Sequence, residues 1–401
     1  MKKTYQLEGE PPRHFWRWFG IVMVVLVALS AVVLGIAWLR VSNMPQPVSY
    51  IIKTHQAGEG ISTKMLFVGD VFWGRSIQTK AQASNLGYKY LTSGLSGKDR
   101  ASYDAWIANF ECPITDKDVP YASQVKYLKF NCRPEYLQNL AKWFTAASQA
   151  NNHTENQGEW GLKQTRKNLE TAGIQYFGDY DMNKTDNICE VISVPAKTVK
   201  TGKVVQLPIA LCGYMYVVDV TPSDKQLAVM KKYAQVMPVI AMPHMGVEYR
   251  SSAEAAKVSA YERMIDNGAD AVIGAHPHVI QNSESYKGKL IAFSEGNFLF
   301  DQQSLGRATT LGLGVGLTLT ISDAKAAGIY QKLAPNCVAY KDDCLDSLNA
   351  QLKQRPTIGV SYDFTCYDEA GGTPRLGTKS TCDKARADAT VSKLTDLATT
   401  W

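Results

Sequence analysis

Apolar, strand-like runs in the middle of this chain end repeatedly in side chains that bind metal ions. The clearest is Ala271–Ile273, which leads through a small-residue turn to His276 and His278. A rigid strand that ends in two imidazoles aims two neutral nitrogen donors at one point, as a metal site requires. A His-Pro-His on a surface loop, without any ligand, is the alternative for this stretch taken alone.

The same arrangement recurs at other places in the sequence. Further runs lead to Asp70, to Glu111, to the pair Asn152-His153 and to His244. In open α/β sheets, ligands bind outside the carboxyl ends of the strands, so these side chains are expected to share one crevice. Oxygen donors mixed with imidazoles suit a hydrolytic site with one or two Mn, Fe or Zn ions better than a structural cysteine site.

These residues lie within motifs that resemble the CapA family of poly-γ-glutamate capsule synthesis proteins, which have a calcineurin-like metallophosphoesterase fold. The matching stretches, in the family's order, are Gly69–Arg75, Asn109–Glu111, Asn151–His153, His244–Tyr249, Gly268–His278 and Ser294–Asp301. The resemblance implies an α/β sandwich with central, mostly parallel or mixed sheets flanked by helices. It also implies a metal-dependent hydrolase of phosphoester or amide bonds in an envelope polymer. A non-catalytic binding or scaffold subunit of polymer export is the alternative.

The resemblance also assigns roles to single residues. The expected metal ligands are Asp70, Glu111, Asn152, His244, His276 and His278. His153 falls where a site acid is expected to protonate a leaving group, a step worth about 10²–10⁴-fold in rate. Two residues are candidates for substrate binding: Arg75, as a bidentate clamp for phosphate or carboxylate, and Asn297, through hydrogen bonds. An ordinary surface arginine and a turn asparagine are the alternatives for these two.

The sequence departs from the family at positions of the expected site. Metallophosphoesterases place a ligand histidine two residues after the first aspartate, where this chain has Phe72, which cannot coordinate. The family usually carries an acidic residue shortly after its Asn-His pair, where this chain has Glu155 and then Asn156. The first departure removes one metal donor, so the alternatives of one ion or two, and of catalysis or binding alone, stay open.

An uncharged apolar run from residue 19 to residue 39 is long enough to cross a bilayer as a helix. Four basic residues precede it, so the positive-inside rule places residues 1–18 in the cytoplasm and the main domain outside the membrane. Residues 40–60 are expected to form a linker. A cleaved signal peptide is the alternative, although the run exceeds the usual ~7–15 apolar residues.

The chain has eight cysteines, an even number that suits disulfides in an exported domain. Spacing favours Cys337 with Cys344 and Cys366 with Cys382. The second bond would close a loop worth about 3 kcal/mol. The remaining four, expected to pair within the main domain, are Cys112, Cys132, Cys189 and Cys212.

Residues 61–321 are expected to form one α/β domain, and residues 322–401 a small cysteine-containing module of unknown role. Predicted elements are helices from Glu159 to Thr171, Ala253 to Asn267 and Lys384 to Leu397, and a late strand at a sheet edge from Leu311 to Ile321. The alternation of strands and helices predicts βαβ units.

The formal net charge of +6 does not indicate a nucleic-acid partner. Residues 1–40 hold five Lys/Arg and two Asp/Glu, so +3 of the total belongs to the tail and its membrane flank. The rest of the chain shows no basic stripe interleaved with aromatic residues. The expected partners are therefore an envelope polymer such as poly-γ-glutamate, the membrane and other membrane subunits of capsule synthesis, with no nucleic acid.

Overall fold

The computed structural model describes residues 50–51, 60–217, 221–337 and 343–401. The predicted tail, the apolar run at 19–39 and most of the linker lie outside these residues. Within the described residues, no helix combines the length and the apolar composition that a membrane span needs. Pro47–Trp401 forms one compact unit. The domain boundary expected at residue 321 stays a prediction.

The strands of the described residues all belong to one connected sheet. They are β1 (Tyr50–Ile51), β2 (Ile61–Val71), β3 (Ala105–Phe110), β4 (Ala146–Ser148), β5 (Gln175–Phe177), β6 (Cys189–Thr198), β7 (Val204–Val217), β8 (Val239–Gly246), β9 (Ala271–Ile273), β10 (Ser283–Tyr286), β11 (Lys289–Ala292), β12 (Asn297–Leu299), β13 (Leu311–Ile321), β14 (Ile358–Asp368) and β15 (Arg375–Leu376).

The helices cover the sheet and join its strands. The α-helices are α1 (Arg75–Ala83), α2 (Gly97–Ala101), α3 (Tyr121–Tyr127), α4 (Leu137–Leu140), α5 (Gly158–Ala172), α6 (Asp224–Leu227), α7 (Val229–Ala234), α8 (Ala255–Asp266), α9 (Ala324–Leu333), α10 (Asp343–Gln351) and α11 (Lys379–Asp388). Short 3-10 helices lie at Gly87–Thr92, Pro134–Tyr136, Gln303–Leu305, Ala308–Thr310, Ala334–Asn336 and Val391–Lys393.

The sheet is mixed, with two parallel segments. Strands β2, β3, β4 and β5 pair in parallel in that order, and so do β7, β8, β9 and β11. Antiparallel β6 connects the two segments through β2 and β7, while β13 and β14 run antiparallel on the other side of β2. The fold is therefore a mixed α/β fold with a central sheet flanked by helices.

The two faces of the β2–β3 pair belong to two separate hydrophobic clusters. Met65 and Phe67 contribute to one cluster, whereas Leu66 and Val68 contribute to the other. This alternation follows from the period of two in a β-strand. Because both faces are buried, the strand is a continuous apolar run, as is usual for parallel strands under helices.

The predicted elements of the second half are confirmed only in part. Helix α5 ends at Gly173, which has a φ of 77°, so the predicted helix and its glycine cap are both present. The predicted late strand is present as β13, but its place at a sheet edge was wrong because β14 covers it. The terminal helix is α11, which ends at Asp388 rather than continuing to Leu397.

The disulfides connect the expected cysteines. Cys337 pairs with Cys344 and Cys366 with Cys382, which confirms the two predicted bonds. Within the predicted main domain, the pairs are Cys112–Cys132 and Cys189–Cys212. The first of these bonds begins at the residue directly after Glu111, so it lies next to the candidate metal centre.

Candidate metal centre

The six predicted ligands converge at one edge of the sheet, where several strands end. Asp70 is the penultimate residue of β2, Glu111 directly follows β3, and His244 lies near the end of β8. His276 and His278 follow β9 by a few residues, and Asn152 follows β4. The rule that ligands gather at the carboxyl ends of strands thus brings together residues that are far apart in sequence.

The first group of donors is centred on His244. Its Nε2 atom lies 2.8 Å from Asn152 Oδ1, 3.0 Å from His276 Nδ1 and 3.7 Å from Glu111 Oε1. Ligand atoms of Glu111, His244 and His276 all lie within 4.8 Å of one another. Donors about 3 Å apart have the separation of neighbouring ligands around one ion that makes bonds of about 2.1 Å.

The second group consists of Asp70, Glu111 and His278, whose ligand atoms also lie within 4.8 Å of one another. His278 Nδ1 lies 3.3 Å from Asp70 Oδ2, and His278 Nε2 lies 3.8 Å from Glu111 Oε1. Glu111 is therefore common to both groups, which is the position of a carboxylate that bridges two ions.

The state of Glu111 shows that these residues fit a cation. The side chain is fully buried, and neither carboxylate oxygen has a hydrogen-bond partner among the described residues. Burial and the neighbouring charge of Asp70 raise the pKa of Glu111 well above its usual range. A buried carboxylate without partners is costly, and a bound divalent ion would supply the missing interactions.

Three imidazoles of the site are held in the neutral form that binds metals, whereas at His278 the hydrogen bond to Asp70 and the charge of Asp70 outweigh burial and raise the pKa. Burial lowers the pKa of His244 well below its usual value, that of His276 to about 3 and that of His153 to about 4. For Asp70, burial acts in the opposite direction, but the hydrogen bond and the charge of His278 outweigh it, and the net effect lowers the pKa. His244 and His276 therefore enter the donor set as neutral nitrogens, and Asp70 enters it as an ionised carboxylate.

The turn that carries the paired histidines has an unusual backbone. His276 has a φ of 96° and His278 a φ of 58°, in a region that residues with side chains rarely adopt. At Gly274 an added Cβ would lie 2.3 Å from the Phe293 carbonyl oxygen and 2.4 Å from the Tyr261 hydroxyl. Only glycine fits this close packing directly before the turn. Backbone strain such as that of His276 and His278 concentrates at functional sites.

Buried amides orient the ligands, and the sequence reasoning assigned no role to two of them. Asn109 donates from Nδ2 to Asp70 Oδ1 at 2.8 Å, and the same nitrogen lies 3.1 Å from His244 Nδ1. Asn151 donates to Asn109 Oδ1 at 3.0 Å. The signal was present, because both residues stand beside predicted ligands at strand ends. These amides fix the orientation of ligands in the way that outer partners do in metal sites.

Asn297, a candidate for substrate binding, lies beneath the site. His278 Nδ1 donates to Asn297 Oδ1 at 2.9 Å, which leaves His278 Nε2 directed towards Glu111. The Asn297 amide nitrogen donates to Gln302 Oε1 and to the Thr309 carbonyl oxygen, both at 3.0 Å. Its polar atoms are therefore engaged within the protein, and its structural effect is to orient a ligand histidine.

His153 lies at the rim of the site, beside the bridging carboxylate. Its Nε2 atom is 3.9 Å from Glu111 Oε1, and its ring stacks on Phe130 with centroids 3.7 Å apart. Its Nδ1 atom lies 2.8 Å from Asn156 Oδ1 and donates to it, because that oxygen can only accept. The Nε2 lone pair therefore faces the site. Phe130 was not recognised from the sequence.

Arg75 is not an ordinary surface arginine, since only 11% of its side chain is exposed. It forms an ion pair with Asp301, and its guanidinium carbon lies 4.9 Å from the Phe72 ring centroid and 4.4 Å from that of Phe130. Phe72 is fully buried and packs on Phe300 with centroids 5.0 Å apart. An aromatic wall with one embedded cation thus occupies the place of the absent histidine.

Comparison with known proteins agrees with this site. The model of a family described as bacterial capsule synthesis protein PGA_cap matches residues 64–302, which include every residue of the two ligand groups. A solved structure, TT1561 of Thermus thermophilus, is 10% identical and covers 63% of this chain and 93% of its own, with a TM-score of 0.33 that is too low to carry an argument.

Two curated relatives extend beyond the matched region. A capsule biosynthesis protein CapA of Bacillus anthracis is 26% identical over 298 residues, 70% of this chain and 68% of the relative. A PGA biosynthesis protein CapA of Bacillus subtilis (strain 168) is 26% identical over 327 residues, 75% of this chain and 76% of the relative. Since the family model alone covers more than half of the sequence, the chain belongs to the PGA_cap family of bacterial capsule synthesis proteins.

Proposed function

We propose that this protein is a metal-dependent hydrolase that cleaves phosphoester or amide bonds in an envelope polymer such as poly-γ-glutamate. We further propose that its connected sheet and the flanking helices form a calcineurin-like metallophosphoesterase sandwich. The observation that carries the proposal is the buried, unpartnered Glu111, which is shared by two groups of metal donors within the described residues. The names of the two curated relatives refer to capsule and PGA biosynthesis, which supports an envelope polymer as the substrate.

Different residues of the chain would have different roles in such a reaction. A divalent ion, Mn, Fe or Zn, held by the two ligand groups would polarise a phosphoryl or carbonyl oxygen and activate water. Asp70 and Glu111 supply negative charge that holds the ion, and Asn109 and Asn297 keep the ligands oriented. Arg75, beside the centre, supplies a positive charge for an anionic group of the substrate.

His153 is suited to proton transfer rather than to coordination. Its Nε2 lone pair faces the site, and the amide of Asn156 holds the other nitrogen. An amide cannot stabilise an imidazolium by charge, so burial dominates and the pKa of His153 falls to about 4. In this state the imidazole would take a proton from the attacking water and then deliver it to the leaving group.

This assignment predicts a separation between metal binding and rate. His153→Ala is expected to keep the metal content of wild type, because the residue is not a ligand, and to lower the hydrolysis of a generic phosphodiester by about 10²–10⁴-fold. Elemental analysis and initial rates of the same preparation measure the two effects. A parallel loss of metal would show that His153 is a ligand.

Asn156→Asp is the matched variant for the same pair. A carboxylate beside Nδ1 favours the charged imidazole, so the pKa of His153 should rise and the pH–rate profile of the variant should shift to higher pH. The carboxylate keeps an acceptor for the Phe130 amide, which donates to Asn156 Oδ1 at 2.8 Å. An unchanged profile would remove His153 from the rate-limiting proton transfer.

The second candidate function is a binding or scaffold subunit that uses the metal centre for recognition. Phe72 favours this binding function, because a buried phenyl ring stands where a ligand histidine is expected. The loss of that donor favours one bound ion over two. Metal content with no turnover of either a phosphodiester or a γ-glutamyl amide would select this function. If wild type hydrolyses one of these substrates and His153→Ala does not, the hydrolase function is supported instead.

We also propose that the protein is anchored by residues 19–39 with its main domain outside the cytoplasm. The four disulfides support an oxidising compartment. Thiol labelling of denatured protein taken directly from cells should find few free cysteines, and a protease added to spheroplasts should digest the main domain. Eight free thiols, or a protected main domain, would contradict this placement.

A further inference from the structure

A cleft of about 320 Å³ lies beside the candidate metal centre, and no residue of the two ligand groups lines it. Its volume falls in the range of small-ligand sites. Tyr249 lines the cleft and also stacks on His278, with ring centroids 6.0 Å apart and an interplanar angle of 30°. Tyr249 therefore lies between the cleft and the metal ligand His278.

The structure holds Tyr249 firmly at this boundary. Its backbone has a φ of 64°, which is an outlier for a bulky residue, and its amide donates to the Pro277 carbonyl oxygen at 2.8 Å. Its hydroxyl accepts from Gln302 Nε2 at 3.0 Å, and Gln302 in turn accepts from Asn297, which orients His278. Almost half of the residue nevertheless remains exposed. A strained, tethered and exposed aromatic residue beside a cleft is well placed to contact a ligand.

The walls of the cleft have two chemical characters. Val279, Ile280 and Leu311 supply an apolar wall. Ser251, Lys384 and Asp388 supply polar groups, and Lys384 donates to both oxygens of Asp388, at 2.9 and 2.6 Å. An ammonium group has three N–H donors, and no further acceptor of Lys384 is found among the described residues, so one donor remains for a ligand.

The geometry points to this cleft as the subsite that holds the acidic polymer chain next to the bond under attack. The inference rests on the proposed function and deepens it. A γ-glutamyl unit carries two methylene groups and one carboxylate, which match an apolar wall that ends at the Lys384–Asp388 pair, where one N–H donor of the lysine remains. Tyr249 separates the reacting bond from the bound chain, and Lys384 pairs with a carboxylate of the chain. The segment after residue 321, which supplies α11, thereby takes part in substrate recognition.

Two variants test the cleft without changing a metal ligand. Lys384→Glu reverses the charge, and Ala308→Trp fills the cleft from an exposed position. The matched control is Lys379→Glu, because Lys379 forms the same type of i,i+4 pair with Asp383 on the same helix but does not line the cleft. Elemental analysis and thermal melting of each full-length variant check that the metal centre and the fold are intact.

The probe is a fluorescent poly-γ-glutamate oligomer of defined length, titrated into the metal-loaded full-length protein. We expect both cleft variants to raise the Kd at least about tenfold and Lys379→Glu to leave it unchanged. Equal binding by wild type and both cleft variants, or no binding by wild type, would overturn the inference. So would an equal loss in Lys379→Glu, or equal competition by inorganic polyphosphate, since either indicates general surface charge alone.

This readout is independent of turnover. Hydrolysis of a generic phosphodiester tests the proposed hydrolase, whereas oligomer binding tests the cleft. If the oligomer binds through Lys384 while no bond is cleaved, the cleft is supported and the hydrolase fails. If the phosphodiester is cleaved while the cleft variants bind the oligomer as tightly as wild type does, the hydrolase is supported and the subsite fails.

Discussion

Glu111→Gln is expected to remove nearly all bound metal from the purified protein. Glu111 is the one residue shared by both ligand groups of the described chain, so the substitution weakens both at once. The loss of an outer partner alone typically costs 10–100-fold in metal affinity, and the loss of a bridging ligand should exceed about 100-fold. Elemental analysis after reloading with Mn, Fe or Zn, together with the metal-dependent rise in Tm, measures the effect.

Glu295→Gln is the control for this substitution. Glu295 is equally buried, both of its carboxylate oxygens lack partners within the described part of the chain, and burial raises its pKa well above the usual range. It is not part of either ligand group. Glu295→Gln should therefore retain the metal content of wild type. If both variants lose metal equally, the effect comes from general disturbance of the core and not from ligation.

The same Glu111→Gln substitution should change how stability depends on pH in the presence of a chelator. The pKa of Glu111 is raised in the folded protein above its ordinary value of 4.5. The carboxyl group therefore contributes stability that is present at low pH and lost as the pH rises through the folded-state pKa. Gln cannot ionise, so the Tm of the metal-free variant should fall less than that of metal-free wild type as the pH rises through the folded-state pKa of Glu111.

Removal of the Cys112–Cys132 disulfide is expected to destabilise the fold and to disturb the metal centre together. The bond closes a segment with a sequence separation of 20, which corresponds to about 3 kcal/mol. Cys112 follows the bridging carboxylate, and the closed segment carries Phe130, on which His153 stacks. The double variant with serine should show a lower Tm, lower metal affinity and slower hydrolysis.

The Cys366–Cys382 bond provides a matched comparison. Its sequence separation of 16 predicts a similar loss of stability, about 3 kcal/mol, but it joins β14 to α11, and neither of its cysteines adjoins a metal ligand in the sequence. Its double serine variant should melt at a similarly reduced temperature and keep the metal affinity of wild type. Equal metal loss in both variants would mean that metal binding follows global stability only.

The positions of the metal donors were predictable because they depend on local patterns. Asp70, Glu111 and His244 each stand at or just beyond the end of an apolar strand, and parallel strands bring such ends to one edge. The resemblance then selected which side chains to expect there. The pairing of Cys337 with Cys344 was likewise predictable from proximity in the sequence.

Other parts of the site depend on contacts that no periodic pattern encodes. Phe130 reaches His153 because a disulfide and the amide of Asn156 hold its loop in place. Tyr249 reaches His278 through a strained turn and the carbonyl group of Pro277. Asn297 was assigned to the substrate because its position was predictable while the direction of its hydrogen bonds was not.

The place of β14 beside β13 sets the order in which this protein can fold. The metal donors between residues 70 and 278 leave the ribosome well before β14, and at about 5–20 residues per second the delay is roughly ten seconds. Until then β13 is an exposed edge, and Glu369 is not available to accept the Phe300 amide at 2.6 Å. Trp401 adds a later contact to β14, because its amide donates to the Ile358 carbonyl oxygen at 2.8 Å. The nascent chain therefore carries the complete set of predicted ligands on an unfinished sheet, and both premature metal capture and edge-to-edge aggregation compete with folding during that interval.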